Sequence, residues 1–304
     1  MTTASTSSAQ LWIWIDGQPV PAAEAKVPVL DRGFLYGDSV YEVLRTVHHK
    51  PLFYDLHVAR MLRSASGLGF ALPPQAQLDG AVHDTIVAAA RAVPEARDFY
   101  LRIIVTRGAG ALDLDPAAAD EPRLVVLAKP LRLPDAKLYR EGVALATVSQ
   151  RRNAPGHVLP EIKSGNYLTS VQALAAARKR GAYEALMLDL HGQISEGASS
   201  NFFVVSDGAL YTPPRAVGLL AGITRGTVMK LASGAGIKVC ETQLTLRDVQ
   251  HSDESFITSS IRGLLPVTRL DDQVIGSGRP GPLTKRLLAL YQSLIGDSSH
   301  GKEG

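Results

Sequence analysis

The strongest signal in this sequence is the segment EIKSGNYL, residues 161–168, followed along the chain by SEGASSN, residues 195–201. Lys163 ends a short apolar stretch and precedes a predicted helix over residues 166–180. The positive end of a helix dipole disfavours a protonated lysine, and an amine of lowered proton affinity suits Schiff-base chemistry. A lone lysine is usually a solvated surface charge, so the interpretation of Lys163 depends on the motifs around it.

The composition is that of an ordinary globular chain. It has 304 residues, 45% of them hydrophobic and 20% charged, enough for two domains and a core that needs no disulfide or structural metal. The net charge of +3 is too small to favour a nucleic-acid partner, and we expect no membrane span because no long uncharged apolar run occurs. The single cysteine, Cys240, favours a reduced cytoplasmic protein.

The pattern predicts two domains joined by a proline-containing link. We expect disordered ends at residues 1–10, which have no secretory-signal pattern, and at 298–304. Between them we expect a small N-terminal α/β domain at 11–128, a link at 129–138, and a large C-terminal domain at 139–297 that carries Lys163. Strands and helices mix without strict βαβ alternation, which predicts an α+β or mixed α/β fold.

Other motif matches carry less weight. The eight histidines are scattered and no HExxH pattern occurs, so no metal site is predicted. Residues 276–281, GSGRPG, fit the GxGxxG pattern of dinucleotide binding, but no following strand completes a βαβ unit. A glycine-rich turn is the better interpretation of that segment.

Six motifs in order resemble the class IV aminotransferases, the fold-type IV pyridoxal-phosphate enzymes. They are DRGFLYGDSVYEVLRT from Asp31, the HxxR of His57–Arg60, IKSGNYL from Ile162, SEGASSNFF from Ser195, GITRGTV from Gly222 and FITSSIRGLLPV from Phe256. The family includes branched-chain amino-acid aminotransferase, D-amino-acid aminotransferase and aminodeoxychorismate lyase. The resemblance spans nearly the whole chain. It implies the two-domain fold of D-amino-acid aminotransferase, pyridoxal 5′-phosphate as cofactor, and a homodimer with its site between the domains and close to the partner chain.

The resemblance implies a role for three residues at the cofactor ring. Lys163 would bind the cofactor covalently and later move the proton between the substrate Cα and the cofactor. Glu196 would pair with the pyridine nitrogen, because an ionised carboxylate keeps that nitrogen protonated and the ring then accepts electrons. Tyr167 would hydrogen-bond the ring oxygen, and a helical spacing of four residues would keep it beside Lys163. The alternatives are an exposed loop glutamate and an aromatic core anchor.

Arg60 is the residue that the resemblance assigns to the cofactor phosphate, which a guanidinium can bind through two hydrogen bonds. It falls on a predicted helix that Asp55 would cap and that runs through Gly67, with Leu56, Ala59, Leu62 and Ala65 on one face. The alternative for Arg60 is an ion pair on the helix surface.

Three further residues would complete the phosphate site. The backbone N–H groups of Ile223 and Thr224 open a predicted helix and can point at an anion. Thr258 would add a hydroxyl at the end of a predicted strand.

The resemblance also indicates which residues face the substrate. They are Tyr36, Tyr41, Tyr100, Arg102, Ser259 and Ser260. Tyr100 and Arg102 alternate on a strand and therefore face the same way, as in the branched-chain aminotransferase pattern, where the tyrosine contacts the substrate carboxylate. A structural ion pair is the alternative for Arg102. Tyr36 and Tyr41 would make the pocket partly apolar, which suits a leucine-like side chain.

The sequence departs from the branched-chain pattern at Arg262, where small residues and then an acidic one are typical. Arg262 would either alter the charge of the pocket or pair with a surface carboxylate. The predicted function is transamination between a hydrophobic L-amino acid and a 2-oxo acid such as 2-oxoglutarate. Transfer from D-amino acids or (R)-amines, and the lyase reaction, stay open as alternatives.

Overall fold

The structure, a computed structural model, describes residues 10–151 and 162–296. The predicted disordered ends therefore lie outside the described residues, apart from Gln10. The chain forms two compact units. In the described part, the first unit contains residues 10–132 and 162–166, and the second contains residues 133–151 and 167–296.

The first unit is a six-stranded sheet with helices packed on it. Its elements are β1 Trp12–Ile15, β2 Gln18–Pro21, α1 Arg32–Tyr36, β3 Ser39–Val47, β4 Lys50–Pro51, α2 Tyr54–Gly67, α3 Gln75–Ala92, β5 Phe99–Thr106 and β6 Arg123–Pro130. The strands are antiparallel neighbours in the order β2-β1-β6-β5-β3-β4. Apolar residues of β3, β5 and β6 form the core with α2 and α3.

The buried face of α2 is more polar than the sequence predicted. Leu56, Ala59 and Leu62 are exposed, so the prediction was wrong for these three, whereas Ala65, the fourth residue expected on this face, is buried. The residues that face inward include His57 and Arg60. The physical reason is Glu42 of β3, a buried carboxylate that provides polar partners for this face of the helix.

The second unit is built on a nine-stranded mixed sheet. Its elements are α4 Ala136–Glu141, β7 Val143–Arg151, α5 Leu168–Lys179, β8 Glu184–Leu188, β9 Ile194–Gly197, β10 Asn201–Ser206, β11 Ala209–Thr212, α6 Ile223–Gly234, β12 Val239–Glu241, α7 Leu246–Gln250, β13 Glu254–Ser259, β14 Gly263–Leu270, β15 Gln273–Val274 and α8 Pro282–Leu294. The order is β12-β11-β10-β13-β14-β7-β8-β9, with β15 beside β14. Adjacent strands are parallel in some pairs and antiparallel in others.

Lys163 lies on an extended segment of the first unit, although the sequence placed it in the C-terminal domain, shortly before a helix predicted over residues 166–180. Residues 162–166 run beside β3, where the Tyr41 N–H donates to the Lys163 carbonyl at 3.0 Å and the Gly165 N–H donates to the Ser39 carbonyl at 2.9 Å. α5 begins only at Leu168. The arguments from the helix dipole and from helical spacing to Tyr167 therefore do not apply. Pairing with β3 fixes Lys163 instead.

Candidate active site

The Lys163 amine lies against the ring of Tyr41 in the first unit. Its Nζ is 3.1 Å from the Tyr41 Oη and 4.3 Å from the ring centroid. The Arg102 guanidinium lies 4.4 Å from the same ring centroid. Tyr41 is buried, and its ring contacts two cations, because the negative face of an aromatic ring attracts positive charge. The structure therefore brings together three of the residues that the resemblance assigns to catalysis and substrate binding.

Tyr100 lies on the same face of the sheet as Tyr41 and Arg102. The register of the antiparallel pair β3–β5 places Arg102 opposite Val43 and Tyr100 opposite Arg45, two and four residues along the strand from Tyr41. Side chains alternate between the faces of a strand, so these positions share one face. Lys129 lies 5.0 Å from the ring of Tyr100. The predicted orientation of Tyr100 and Arg102 on one face agrees with this register.

Tyr36 ends α1 and packs against a different cation. Its ring lies 5.0 Å from the Arg32 guanidinium. The helix is capped by Asp31, whose side chain accepts from the Gly33 N–H, and by Gly37, whose φ of 68° turns the chain into β3. A positive φ is readily adopted only by glycine. Tyr36 thus belongs to the turn that precedes the strand of Tyr41.

Arg60 forms a buried ion pair rather than a surface one. Its Nε and one Nη donate to the two carboxylate oxygens of Glu42, each at 2.7 Å. The His57 Nδ1 donates to the same carboxylate at 2.6 Å, since an ionised carboxylate only accepts. Glu42 is next to Tyr41 on β3, so it projects from the opposite face of the sheet. Two of the Arg60 nitrogens are therefore hydrogen-bonded to a carboxylate of the protein itself.

Two ionisable groups of this cluster, Glu42 and His57, have pKa values that differ from their ordinary ones. Burial alone would raise the pKa of the Glu42 carboxyl, but the hydrogen bonds and positive charge of Arg60, with a further bond from His57, lower that pKa to about 2. Burial lowers the pKa of His57 and outweighs the opposing effect of Glu42. At neutral pH, Glu42 is therefore ionised and His57 is neutral.

Glu196 is a buried carboxylate on β9 of the second unit, not an exposed loop residue. Its Oε2 accepts from the Asn201 side-chain amide at 3.3 Å and from the Leu220 N–H at 3.1 Å. The Asn201 amide also donates to the Leu220 carbonyl at 2.9 Å. Tyr167 lies in the same unit, half-buried, directly before α5. The Glu196 carboxylate is therefore held in one orientation by neutral donors.

The N-terminus of α6 has no side-chain cap and lies beside two buried threonine hydroxyls. Thr224 and Thr258 are 2% and 1% exposed, and within residues 10–151 and 162–296 neither hydroxyl has a hydrogen-bond partner. Asn201 pairs with Thr258 across β10 and β13, and a Cβ on Gly222 would overlap the Asn201 side-chain oxygen. A buried hydroxyl without a partner is costly, and uncapped N–H groups attract anions. These groups, with Ile223 opening the helix, fit a phosphate monoester.

Arg262 pairs with a carboxylate, but with a buried one. Its Nη1 donates to the Glu184 Oε2 at 2.6 Å, and the Glu184 side chain is 1% exposed. Burial opposes the charge of Arg262, yet the nearby Glu184 carboxylate raises its pKa above the usual value. The positive charge is therefore neutralised locally. Ser259 and Ser260 are half-buried at the turn that leads to Arg262.

Three residues of these clusters were not assigned by sequence reasoning. Glu42 and His57 stand inside quoted motifs, but nothing in one sequence shows that an acidic strand residue pairs with a helical HxxR segment. Asn201 also stands inside a quoted motif, SEGASSN. Its position directly after a serine pair gives no sign that it links Glu196 to the α6 N-terminus.

Residues 39–270 match the family described as Amino-transferase class IV, so the chain belongs to this family. It is an enzyme of the transaminase class. In the described residues, no group of three side chains could hold a metal ion and no helix is long and apolar enough to cross a membrane.

Similar proteins cover almost the whole chain. A protein of Methanocaldococcus jannaschii, provisionally named as a branched-chain amino-acid aminotransferase, is 37% identical over 93% of this chain and 96% of its own length. The D-alanine aminotransferase of Bacillus licheniformis is 32% identical over 94% of this chain and 98% of its own. The T.th. branched-chain amino acid aminotransferase, solved with pyridoxamine 5′-phosphate, matches with a TM-score of 0.86 at 32% identity over 93% of each chain. The predicted family and mixed α/β fold-type IV architecture are confirmed.

Proposed function

We propose that this enzyme uses pyridoxal 5′-phosphate to transfer an amino group from a hydrophobic, branched-chain-like L-amino acid to a 2-oxo acid such as 2-oxoglutarate. The branched-chain aminotransferases among its relatives support this substrate class. The single cysteine, free in the structure, supports a reducing cytoplasmic location.

The pair of unpartnered threonine hydroxyls at the α6 N-terminus is the observation that carries the proposal. Thr224 and Thr258 are buried, and each would gain a hydrogen-bond partner from a phosphate oxygen. The N–H groups of Ile223 and Thr224 would add donors at the positive end of the helix. The family resemblance also assigns Arg60 to the phosphate, although Glu42 engages two of its nitrogens.

The ring of the cofactor would be held by Glu196 and Tyr167. When bound, pyridoxal phosphate supplies an electron sink for the pair released from a bond at the substrate Cα. The Glu196 carboxylate would accept a hydrogen bond from the protonated ring nitrogen. The Asn201 and Leu220 donors, at 3.3 and 3.1 Å, fix the carboxylate for that contact.

Lys163 would attach the cofactor and then hold and move the proton at the substrate Cα. The Tyr41 hydroxyl, 3.1 Å from Nζ, orients the amine. Tyr41, Tyr100 and Arg102 share one sheet face, where aromatic surface suits an apolar side chain and the guanidinium suits a carboxylate. Tyr36, Ser259 and Ser260 would complete the substrate side.

A D-amino-acid donor is the second candidate. The 32% identity to a D-alanine aminotransferase favours it. Arg262, the residue that departs from the branched-chain pattern, gives no support to a D-amino-acid donor, because the buried Glu184 neutralises its charge. An L-specific donor is therefore the better-supported choice.

We also propose that the enzyme is a homodimer. The first unit exposes a patch of large apolar side chains, which on a soluble protein indicates an interaction surface. Its members are Val29, Leu30, Phe34, Leu112 and Leu114, exposed by 49% to 76%. The Arg32 guanidinium bonds the carbonyls of Asp113, Leu114 and Asp115, which holds the two segments of the patch together. A second copy is the proposed occupant.

The test is amino transfer by the purified protein with added cofactor. We expect glutamate to form from L-leucine and 2-oxoglutarate with ping-pong kinetics, much faster than from D-leucine. Lys163→Ala should abolish turnover, whereas Lys285→Ala, at an exposed lysine of α8, should retain it. Substantial turnover by Lys163→Ala would refute the assigned role. Pyruvate release from aminodeoxychorismate without any 2-oxo acid would instead identify the lyase.

A further inference from the structure

The first unit contains a groove between α3 and the segment that leads from β4 into α2. Its volume is about 720 Å³, within the range of roughly 300–1,000 Å³ that is typical of small-molecule sites. Its walls are mostly apolar and include Pro51, Val82, Ile86, Val87 and Ala90. Of the described residues that line it, none is assigned above to the cofactor, the substrate or the apolar patch. The groove is therefore separate from the candidate active site and from the proposed dimer surface.

One face of α3 forms the length of the groove. The residues of this face recur at spacings of three and four, and they are Asp79, Val82, His83, Ile86, Val87, Ala90 and Arg91. Residues at these spacings lie on one side of a helix. From residue 79 to residue 91 the helix rises by about 18 Å. The groove is thus elongated, with an apolar middle and an ionisable group at each end.

The acidic end of the groove is occupied by the protein's own donors. The Asp79 Oδ1 accepts from the Tyr54 hydroxyl at 2.8 Å and from the Gln75 side-chain amide at 2.7 Å. These two bonds tie the start of α2 to the start of α3. The Asp79 carboxylate therefore has hydrogen-bond donors without any ligand.

The basic end of the groove has two cations from separate elements. The His49 Nε2 donates to the Ala96 carbonyl at 3.2 Å, and its ring lies 5.4 Å from that of Phe99. This anchored turn brings Lys50 to the groove that Arg91 also lines. Within the part of the chain that the structure describes, neither Lys50 nor Arg91 forms an ion pair, and both are exposed. The helix dipole favours an arginine in the last turn of α3, but it does not explain a lysine from β4 at the same end.

We propose that this groove is a second ligand site, which binds a small monocarboxylate with an unbranched apolar body. Its carboxylate would pair with Lys50 and Arg91, and its body would lie along Val82, Ile86 and Ala90. An apolar cleft with a few polar groups at one end binds a ligand in one orientation. The cations are complementary to a single negative charge, and the length of the groove suits an extended chain.

The experiment identifies the site by covalent labelling of the cofactor-loaded protein. The probe is an eight-carbon straight-chain carboxylic acid that carries a diazirine, which forms a bond to neighbouring residues under light. Trypsin cuts after lysine and arginine, so almost all of α3 is recovered in one peptide, residues 64–91. Unlabelled octanoate and its neutral amide, octanamide, then compete with the probe. The two competitors share the apolar body and differ in the charge.

Two double variants test the charges. Lys50→Gln with Arg91→Gln removes both cations of the groove. The matched control is Lys26→Gln with Arg63→Gln, which removes the same two charges from exposed positions of the same unit that do not line the groove. All four positions are exposed, so neither variant removes a core contact.

We expect the label on the α3 peptide, displaced by octanoate at about one tenth of the concentration that octanamide requires, because each exposed ion pair strengthens binding by up to about fivefold. The groove variant should need about tenfold more octanoate, and the control should behave like the wild type. Label confined to other peptides would overturn the inference. Equal competition by octanoate and octanamide, or equal effects of the two variants, would also overturn it. Label that reaches α3 only when the protein is diluted to single chains would assign the groove to a second copy instead.

Discussion

Glu42→Gln is the substitution whose effect on stability follows most directly from the structure. The Glu42 carboxylate is fully buried and accepts two hydrogen bonds from Arg60 and one from His57. Glutamine keeps the shape but removes the charge, which leaves the Arg60 guanidinium buried without its counter-ion. Breaking one side of a buried ion pair typically costs about 3–5 kcal/mol.

The pKa of Glu42, which the same contacts with Arg60 and His57 lower, leads to a similar magnitude. Its pKa is about 2 in the folded chain, against an ordinary value of 4.5. Since a tenfold change in an equilibrium is about 1.4 kcal/mol, the ionised form of Glu42 stabilises the fold by roughly 3 kcal/mol relative to the protonated form. We therefore expect Glu42→Gln to lower the free energy of unfolding of the first unit by about 3 kcal/mol at pH 7.

Tryptophan fluorescence during urea unfolding measures this effect selectively. Both tryptophans, Trp12 and Trp14, lie on β1 of the unit that contains Glu42. The matched control is Asp16→Asn in the same unit, where the carboxylate is 66% exposed and pairs with Arg123. An exposed ion pair contributes about 0–1 kcal/mol, so the control should unfold almost like the wild type. A loss below about 1 kcal/mol in Glu42→Gln would refute the reasoning.

The difference in the free energy of unfolding between wild type and Glu42→Gln should depend on pH, in a direction that follows from the pKa of Glu42. The pKa of Glu42 is lowered by folding, so its contribution is complete above pH 4.5 and is lost as the pH falls toward about 2. Burial also lowers the pKa of His57 and so removes stability below its ordinary value of 6.5, but both proteins carry His57, and this loss does not account for the difference between them. The stability difference between wild type and Glu42→Gln should therefore shrink in acid. A difference that persists unchanged at pH 3 would contradict the account.

Three further tests address the cofactor site and the assembly. Thr224→Val and Thr258→Val each remove a buried unpartnered hydroxyl, so the cofactor-free protein should be at least as stable as the wild type. Equilibrium dialysis should show that pyridoxal phosphate binds about tenfold more weakly to each variant. Tighter or unchanged binding would exclude these hydroxyls from the phosphate site. Gly222→Ala places a Cβ against the Asn201 side chain and should also weaken cofactor binding, and a normal affinity would show that Asn201 can shift without effect. Leu114→Asp places a charge in the exposed apolar patch, and light scattering should then give the mass of one 32.5 kDa chain; an unchanged dimer would locate the interface elsewhere.

Local patterns in the sequence predicted the fold class, and its ordered motifs indicated the family. They assigned Lys163 to the C-terminal domain, whereas it lies in the first unit. The apolar residues before it and the helical residues after it predicted a position in the C-terminal domain, directly before a helix. The segment is instead extended because it pairs with β3, which lies far earlier in the chain. Such a long-range pairing leaves no periodicity in the segment itself.

Arg60 and Arg262 show the same limit for charged groups. For each arginine the sequence left open an ion pair at the protein surface. In the structure each pairs with a buried carboxylate, Arg60 with Glu42 and Arg262 with Glu184. The partners lie on strands that are distant in the sequence. A single sequence shows charge, but burial and pairing depend on the tertiary fold. The unpartnered hydroxyls of Thr224 and Thr258 are likewise visible only in the structure.

The most direct test of the central claim is the absorption spectrum of the protein loaded with pyridoxal phosphate, before and after L-leucine is added without an acceptor. We expect L-leucine to convert the band of the bound cofactor to that of pyridoxamine phosphate, and we expect no such conversion in Lys163→Ala. A cofactor band that L-leucine leaves unchanged but D-leucine converts would contradict the proposed L-specific transamination.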